Sequence, residues 1–302
     1  MEDTFLYTNK ISMTVRSKDV LLLLSEAYLF GLRKGIRIME EFSPEAAFKI
    51  AFNRFCTPRT NSKLREPFDQ FSDRPLVEVG DHKIRLYHFG EENRPTVLFV
   101  HGWTGRASDF SFFVEPLVKA GFRVIAFDAP AHGESLGDQT NAIEVSEIIR
   151  DIVELEGGVE TIVGHSFGGF ASSIAMANSE NLKGKKLVTI GSPNQLKKVI
   201  DDYAKLLKLS DSVYKRFQNE IEKRFNKKLE EISTARFIEE SQANALIVHD
   251  VKDRLVDYQE KDMMVNHLST VSHLETEGLG HTRILFNEDV VARVLEFLEQ
   301  KN

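Results

Sequence analysis

The sequence contains a single cysteine, Cys56, among its 302 residues. One cysteine cannot form a disulfide within the chain, so the fold has to be stable without a covalent cross-link, which fits a reducing compartment. A reactive thiol is one interpretation of Cys56. Its position near the end of a phenylalanine-rich helical segment favours the other interpretation, a small apolar residue that packs inside the protein.

Long hydrophobic runs and an excess of positive charge are also missing. The apolar run at residues 20–24 is broken by Ser25 and Glu26, whereas a membrane-spanning helix needs roughly 20 apolar residues. The chain begins Met-Glu-Asp, where a secretory signal would be basic. A net charge of −7 argues against a broad cationic surface for nucleic acids. We therefore expect a cytoplasmic protein without an integral membrane segment or a nucleic-acid partner.

Residues 1–75 contain helical patterns followed by a polar linker. Ser43-Pro44-Glu45 is typical of a helix start, and three phenylalanines then recur at helical spacing, which favours a packing surface over a ligand site: Phe48, Phe52 and Phe55. We predict an N-terminal helical extension over this range. Its helices are also candidates for a homodimer surface or for docking on a membrane.

From residue 76 onward, short apolar runs alternate with helical patterns. This alternation predicts a mostly parallel sheet with helices on both faces, and such sheets bind ligands at the carboxyl ends of their strands. Residues 194–241 show helical periodicity alone and predict a cap inserted between two strands, so the core comprises residues 76–193 and 242–302. The predicted strands are Ile84–Phe89, Thr96–Val100, Arg123–Phe127, Thr161–Val163, Lys186–Ile190, Ala245–Val248 and Val271–Glu275.

Residues 164–168 read Gly-His-Ser-Phe-Gly and lie between a predicted strand and a helical segment. They match G-x-S-x-G in the strand–turn–helix context that this motif requires. Gly164 and Gly168 allow strand and helix to approach closely around a strained turn, which exposes the Ser166 hydroxyl near a helix N-terminus. Ser166 is therefore the predicted nucleophile, and a glycine-rich turn without chemistry is the alternative. We expect His165 to point elsewhere and to be structural.

With these residues, the chain from about residue 76 resembles the α/β-hydrolase superfamily, particularly capped members such as esterases and carbon–carbon bond hydrolases. His101-Gly102-Trp103 is similar to the family's oxyanion loop, and residues 127–135 resemble the segment after the next strand, with Ala131 where the family usually has glycine. The resemblance implies an oxyanion hole formed by the backbone N–H groups of Trp103 and Phe167. It also implies that Asp128 orders its turn and is not catalytic. Residues 1–75 show no such resemblance.

The resemblance further implies a base and an acid that follow the serine in the chain. His281, in a glycine-rich loop before the last helical segment, matches the base. Asp253, aligned on the following Leu255-Val256, matches the acid. Asp250 lies where the family commonly has glycine and is the reserve candidate. The other position that some members use for the acid, at residues 191–194, offers no carboxylate.

Together these residues predict a serine hydrolase that cleaves a small or medium carboxylic ester through an acyl-enzyme intermediate. Hydrolysis of a carbon–carbon bond or a thioester on the same triad is the nearest alternative, and a non-catalytic small-molecule receptor with this fold is another. Ser166 argues against relatives that open epoxides or remove halides, which carry aspartate there. The sequence has no metal-ligand spacing, P-loop or dinucleotide motif. We therefore expect no cofactor, and a small-molecule acyl substrate as the partner.

Overall fold

A computed structural model describes residues 26–59, 64–71, 76–268 and 271–300. Its contacts divide the chain into two compact units. The smaller unit contains the described residues up to Arg54 together with Ile200–Asn226. The larger unit contains the described residues of Phe55–Val199 and Lys227–Asn302.

The larger unit is built on an eight-stranded sheet. Its strands are β1 (Val77–Val79), β2 (His82–Phe89), β3 (Thr96–Val100), β4 (Arg123–Asp128), β5 (Thr161–His165), β6 (Lys186–Ile190), β7 (Asn244–Asp250) and β8 (Ser272–Thr276). They are ordered β1-β2-β4-β3-β5-β6-β7-β8. The strands from β3 to β8 pair in parallel, whereas β2 pairs antiparallel with both β1 and β4. Each predicted strand overlaps an observed strand, and the predicted fold class is confirmed.

Helices cover both faces of this sheet, and side chains alternate between the faces along each strand. On β3, Phe99 packs in the buried cluster that includes residues of α3 and α11, and the adjacent Leu98 packs in the cluster that includes residues of α4 and α5. The described helices are α1 (26–42), α2 (Pro44–Phe55), α3 (Ser111–Lys119), α4 (Ala142–Leu155), α5 (Phe167–Ala177), α6 (Leu196–Leu207), α7 (Asp211–Phe225), α8 (Thr234–Ser241), α9 (Gln259–His267), α10 (Gly280–Arg283) and α11 (Glu288–Glu299).

Helix α5 lies directly against the backbone of the central strands, because glycines occupy the points of contact. A Cβ atom added at Gly168 would lie 2.1 Å from the carbonyl oxygen of Val100 and 2.5 Å from that of His101. A Cβ atom at Gly164 would lie 2.4 Å from the Cα atom of Gly169. The close approach that the sequence motif predicts is therefore present at both glycines.

The smaller unit is held together by aromatic side chains of α2, α6 and α7. The Phe217 ring centroid lies 5.1 Å from that of Phe52 and 6.0 Å from that of Phe48. The Tyr203 hydroxyl donates a hydrogen bond of 2.8 Å to the Ala51 carbonyl oxygen. The predicted aromatic stripe thus serves as packing surface. The helical prediction for residues 1–25 lies outside the described residues, and a homodimer through these helices stays a prediction.

The compact units and the predicted domain boundaries place their divisions at different residues. Helix α8 falls within the predicted cap at residues 194–241, yet its Phe237 ring packs 6.2 Å from that of Phe170 on α5, inside the larger unit. Residues 26–54, which the sequence assigns to a separate extension, share a unit with Ile200–Asn226. The predicted boundaries and the role of α6 and α7 as a cap stay predictions. In the described ranges no helix is long and apolar enough to cross a bilayer.

We expect Gly168→Ala to destabilise the larger unit by about 1–3 kcal/mol. The added methyl group would overlap main-chain oxygens of β3 and the following residue, which cannot rotate away as a side chain can. Urea unfolding followed by circular dichroism measures the change.

Gly35→Ala is the matched control, because Gly35 is also helical but a Cβ atom there meets nothing within 4 Å. Alanine is the better helix former by about 1 kcal/mol, so this variant should lose no stability. Equal stability of the two variants would contradict the close approach of α5.

Candidate active site

Ser166 occupies the sharp turn between β5 and α5. Its backbone has φ 50° and ψ −120°, a region that residues other than glycine rarely adopt and that typically marks functional turns. Its N–H donates a hydrogen bond of 2.8 Å to the carbonyl oxygen of Ile190, at the end of β6. The turn therefore places the Ser166 side chain at the carboxyl edge of the sheet.

Asp253 and His281 meet at the same edge, where β7 and β8 end. His281 Nδ1 lies 2.7 Å from Asp253 Oδ2. The carboxylate is 1% exposed and the imidazole 11% exposed. Because a carboxylate only accepts hydrogen bonds, Nδ1 carries the hydrogen, and Nε2 of a neutral ring is left as an acceptor. The structure thus joins the predicted acid directly to the predicted base.

The Asp253 carboxylate stays ionised although it is buried. Burial alone would raise its pKa, but the hydrogen bond and charge of His281 act in the opposite direction. Its second oxygen, Oδ1, accepts the backbone N–H groups of Leu255 at 2.8 Å and Val256 at 3.1 Å. The net result is that the pKa of Asp253 is lowered. One oxygen is therefore fixed by the backbone and the other is directed at His281.

Gly191 lies close both to the Ser166 turn and to the pair formed by Asp253 and His281. It directly follows Ile190, whose carbonyl oxygen accepts the Ser166 N–H. A Cβ atom built on Gly191 would lie 3.4 Å from His281 Nδ1 and 3.4 Å from Asp253 Oδ2. Ser166 is thus adjacent, through β6, to the residues that carry the base and the acid.

Asp250, the reserve candidate for the acid, binds backbone N–H groups and a hydroxyl group. It is fully buried, and its carboxylate accepts hydrogen bonds from the Thr276 hydroxyl at 2.8 Å, the Leu279 N–H at 2.9 Å and the Lys252 N–H at 2.9 Å. Burial raises its pKa, but these hydrogen bonds outweigh burial, and the pKa is lowered. Asp250 ties the loop that carries the base to the end of β7, and the carboxylate that contacts His281 is Asp253.

The loop after β3 is held by two buried histidines. His101 Nε2 accepts the Ala129 N–H at 2.9 Å, so its Nδ1 carries the hydrogen and donates to the Gly102 carbonyl oxygen at 2.8 Å. That carbonyl shares its peptide plane with the Trp103 N–H. His132 Nε2 lies 2.6 Å from the Trp103 carbonyl oxygen. The two peptide groups on either side of the Trp103 Cα atom are therefore fixed.

Trp103 and Phe167 are neighbours in space. Their ring centroids lie 4.9 Å apart in an edge-to-face arrangement, and Phe167 is the first residue of α5. The two backbone N–H groups proposed for the oxyanion hole therefore belong to residues whose side chains are in contact. Their function as an oxyanion hole stays a prediction.

Asp128 orders the segment after β4, as the sequence resemblance implies. It is fully buried and accepts the Tyr87 hydroxyl at 2.9 Å, the Ala107 N–H at 2.7 Å and the Glu134 N–H at 2.8 Å. Ala131, at the position where glycine is usual, has φ 61°. This left-handed backbone explains why the family usually has glycine at this position. Alanine adopts the same conformation here at a cost in free energy.

His165 and His249 make contacts near the site that the sequence does not predict. His165 Nε2 lies 2.9 Å from the His281 carbonyl oxygen, and the two rings are 4.8 Å apart. His249 Nε2 lies 3.0 Å from the Val256 carbonyl oxygen and 3.8 Å from Asp253 Oδ2. Neither contact leaves a spacing signature, since each joins residues that only the fold brings together. Within the described part of the chain, no cluster of His, Cys, Asp and Glu is arranged to hold a metal ion.

The chain is similar in sequence to known proteins. A model of the alpha/beta hydrolase family matches residues 97–294, more than half of the 302-residue chain. The chain is 34% identical over 99 residues to the dihydrolipoyllysine-residue acetyltransferase component of the acetoin cleaving system of Pseudomonas putida, covering 32% of this chain and 26% of that protein. It is 30% identical over 109 residues to a bifunctional esterase/perhydrolase of Acinetobacter calcoaceticus, covering 34% of this chain and 39% of that protein.

The solved structures extend the likeness to the fold. An esterase of Pyrococcus furiosus superposes with a TM-score of 0.58 at 20% sequence identity, covering 81% of this chain and 96% of the esterase. By contrast, the aligned segments span less than two thirds of either curated relative. The structural match therefore supports the architecture, and the activities of these proteins are not transferred with it.

We expect Asp250→Asn to lower the free energy of unfolding by about 1–3 kcal/mol near pH 7, because an amide nitrogen would replace an oxygen that accepts hydrogen bonds. The lowered pKa of Asp250 means that the ionised carboxylate stabilises the fold above about pH 4, its ordinary range. This stabilisation is lost as the pH falls through the lowered pKa.

Urea unfolding of the two proteins across a pH series measures this difference, which should shrink toward acid pH. Asp138→Asn is the control, since Asp138 is exposed, and its stability should match that of the wild type at every pH. A pH-independent difference for Asp250→Asn would show that its carboxylate charge is not responsible.

Proposed function

Because this chain belongs to the α/β-hydrolase family, we propose that it is a serine hydrolase with Ser166 as nucleophile, His281 as base and Asp253 as the orienting acid. The observation that carries the proposal is the 2.7 Å hydrogen bond between Asp253 and His281 at the sheet edge that also holds the Ser166 turn. A buried carboxylate bonded to Nδ1 selects the tautomer whose Nε2 accepts a proton.

The proposed reaction has two displacement steps. In the first, His281 Nε2 accepts the Ser166 hydroxyl proton as the serine oxygen attacks the acyl carbonyl, and the charge of Asp253 stabilises the resulting imidazolium. The N–H groups of Trp103 and Phe167 donate to the tetrahedral oxyanion. The leaving group then departs with the proton from His281.

In the second step, water replaces the leaving group. His281 accepts a proton from this water, which attacks the acyl-enzyme, and the collapse of the second tetrahedral intermediate returns the proton to Ser166. The carboxylic acid is released, and the enzyme regains its starting state. No further reactant is needed.

The proposed substrate is a small or medium carboxylic ester with an apolar acyl group. The partly buried rings of Trp103 and Phe167 contact each other, and Phe167 directly follows Ser166 in the chain. Leu255, 76% exposed, follows the proposed acid by two residues. Apolar groups next to the nucleophile favour apolar substrates. The names of the Acinetobacter calcoaceticus and Pyrococcus furiosus relatives, both esterases, agree with ester chemistry.

A fluorophosphonate probe should label the wild-type protein at Ser166 alone, because the probe reacts with an activated serine. Ser166→Ala should abolish labelling, and Asp253→Asn should lower kcat by about 10⁴-fold, since loss of the carboxylate favours the wrong histidine tautomer. Mass spectrometry of the adduct and hydrolysis of p-nitrophenyl esters provide the measurements.

Ser212→Ala is the control for this experiment, because Ser212 is exposed on α7 of the smaller unit. This variant should be labelled and should turn over substrate as the wild type does. An adduct on another residue, or a Ser166→Ala protein that remains active, would refute the proposed nucleophile.

A substrate panel tests the ester class separately from the triad. We expect hydrolysis of p-nitrophenyl acetate and butyrate, with little hydrolysis of acyl thioesters or of dienoic keto acids. Preferred turnover of the thioester or of the carbon–carbon bond would replace the ester assignment but keep the triad. Ligand-induced stabilisation of the fold without any covalent adduct would instead indicate a receptor.

A further inference from the structure

His165 lies where three loops of the site meet. It directly precedes Ser166 in the chain, and its ring centroid is 4.8 Å from that of His281. On another side, a Cβ atom built on Gly102 of the β3 loop would lie 2.8 Å from His165 Nδ1 and 3.4 Å from Ser166 Cβ. The ring is therefore enclosed between the serine turn, the base loop and the predicted oxyanion loop.

The hydrogen bond of this ring has a defined direction. His165 Nε2 lies 2.9 Å from the main-chain carbonyl oxygen of His281, and a carbonyl oxygen only accepts, so Nε2 carries the hydrogen. Burial, together with the neighbouring His281, lowers the pKa of His165 to about 3. His165 is thus a neutral donor throughout the pH range in which a serine hydrolase works.

The base loop needs such a support. His281 lies on α10, a helix of four residues that begins at Gly280, with φ 65°, and comes after Gly278, with φ 88°. Glycine allows its backbone more conformations than other residues do. Asp250 binds the backbone N–H groups of this loop at Gly278 and Leu279, before His281. The bond from His165 is made to the backbone of His281 itself.

We propose that His165 is a positioning residue, which fixes His281 against the serine turn by donating its Nε2–H to the His281 carbonyl oxygen. This inference rests on the proposed function, in which His281 exchanges a proton with Ser166. Because His165 directly precedes Ser166 in the chain, this hydrogen bond ties the backbone of the proposed base to the residue next to the proposed nucleophile. A displaced base would slow proton transfer without affecting substrate binding.

Three substitutions separate the hydrogen bond from simple packing. His165→Leu fills similar space without a donor, His165→Gln places an amide N–H near the position of Nε2, and His165→Asn reaches only the position of Nδ1. We expect the leucine and asparagine variants to lose about 10- to 100-fold in kcat, the effect of a small misplacement of a catalytic group, with KM unchanged. The glutamine variant should recover most of this loss.

His273→Gln is the matched control, since His273 is exposed on β8, and it should be as active as the wild type. The rate of labelling by the fluorophosphonate should follow the same order as kcat. A leucine variant as active as the wild type would overturn the proposal. So would a glutamine variant no better than leucine, or a loss confined to KM.

Long-range ¹H–¹⁵N correlation spectra of the wild-type protein test the hydrogen bond without relying on activity or on variants that fold. The expected result is a His165 ring with hydrogen on Nε2, protected from exchange with water and unchanged from pH 5 to pH 8. Hydrogen on Nδ1, or titration of the ring in this range, would overturn the proposal. A wild-type protein that hydrolyses no ester and forms no adduct would end the proposed function, while the spectra would still decide the hydrogen bond.

Discussion

The 2.7 Å hydrogen bond between Asp253 and His281 is the interaction on which the site depends. It forms because β7 and β8 are adjacent parallel strands that end at the same edge, so the loops after them meet there. Two carboxylates at and just after the end of β7 make different contacts. Asp250 accepts backbone N–H groups of the loop before His281, and Asp253, the proposed acid, is hydrogen-bonded to the His281 imidazole. Both have a lowered pKa despite their burial, because each is surrounded by hydrogen-bond donors. In this arrangement backbone N–H groups hold one oxygen of Asp253 and His281 binds the other.

Buried histidines form the support around this pair. His101, His132 and His165 are each almost fully buried, and burial lowers the pKa of each ring, which keeps it neutral near pH 7. His101 Nδ1 faces the carbonyl oxygen of Gly102, His132 Nε2 faces that of Trp103, and His165 Nε2 faces that of His281. A neutral imidazole is rigid and donates a hydrogen bond without placing a charge in the interior. These properties suit side chains that hold backbone segments near the proposed reaction, in which charge develops.

The sequence predicts the sheet and the turn at Ser166 well because both depend on local patterns. The fully buried strands β3, β5 and β6 are short, mostly apolar runs. The turn at Ser166 needs small residues at Gly164 and Gly168, where the added Cβ atoms would meet backbone. The acid and base positions came from family resemblance, and the structure brings those two residues into contact. His165 was predicted to be structural, but its contact with the His281 carbonyl oxygen was not predicted, because that partner lies 116 residues further along the chain. The strand β1 was also not predicted, since its three residues form too short an apolar pattern. The grouping of residues 26–54 with Ile200–Asn226 depends on packing between distant segments and leaves no local signal.

The strain at Ser166 explains why the surrounding glycines and histidines act together. A non-glycine residue at φ 50° and ψ −120° costs on the order of 1–3 kcal/mol, and the turn persists only if its neighbours oppose relaxation. Gly168 allows α5 to press against β3, and the bond from the Ser166 N–H to Ile190 fixes the other side of the turn. His165 then extends the same rigid turn to the backbone of His281. The strained backbone at the proposed nucleophile is therefore connected, through His165, to the backbone of the proposed base.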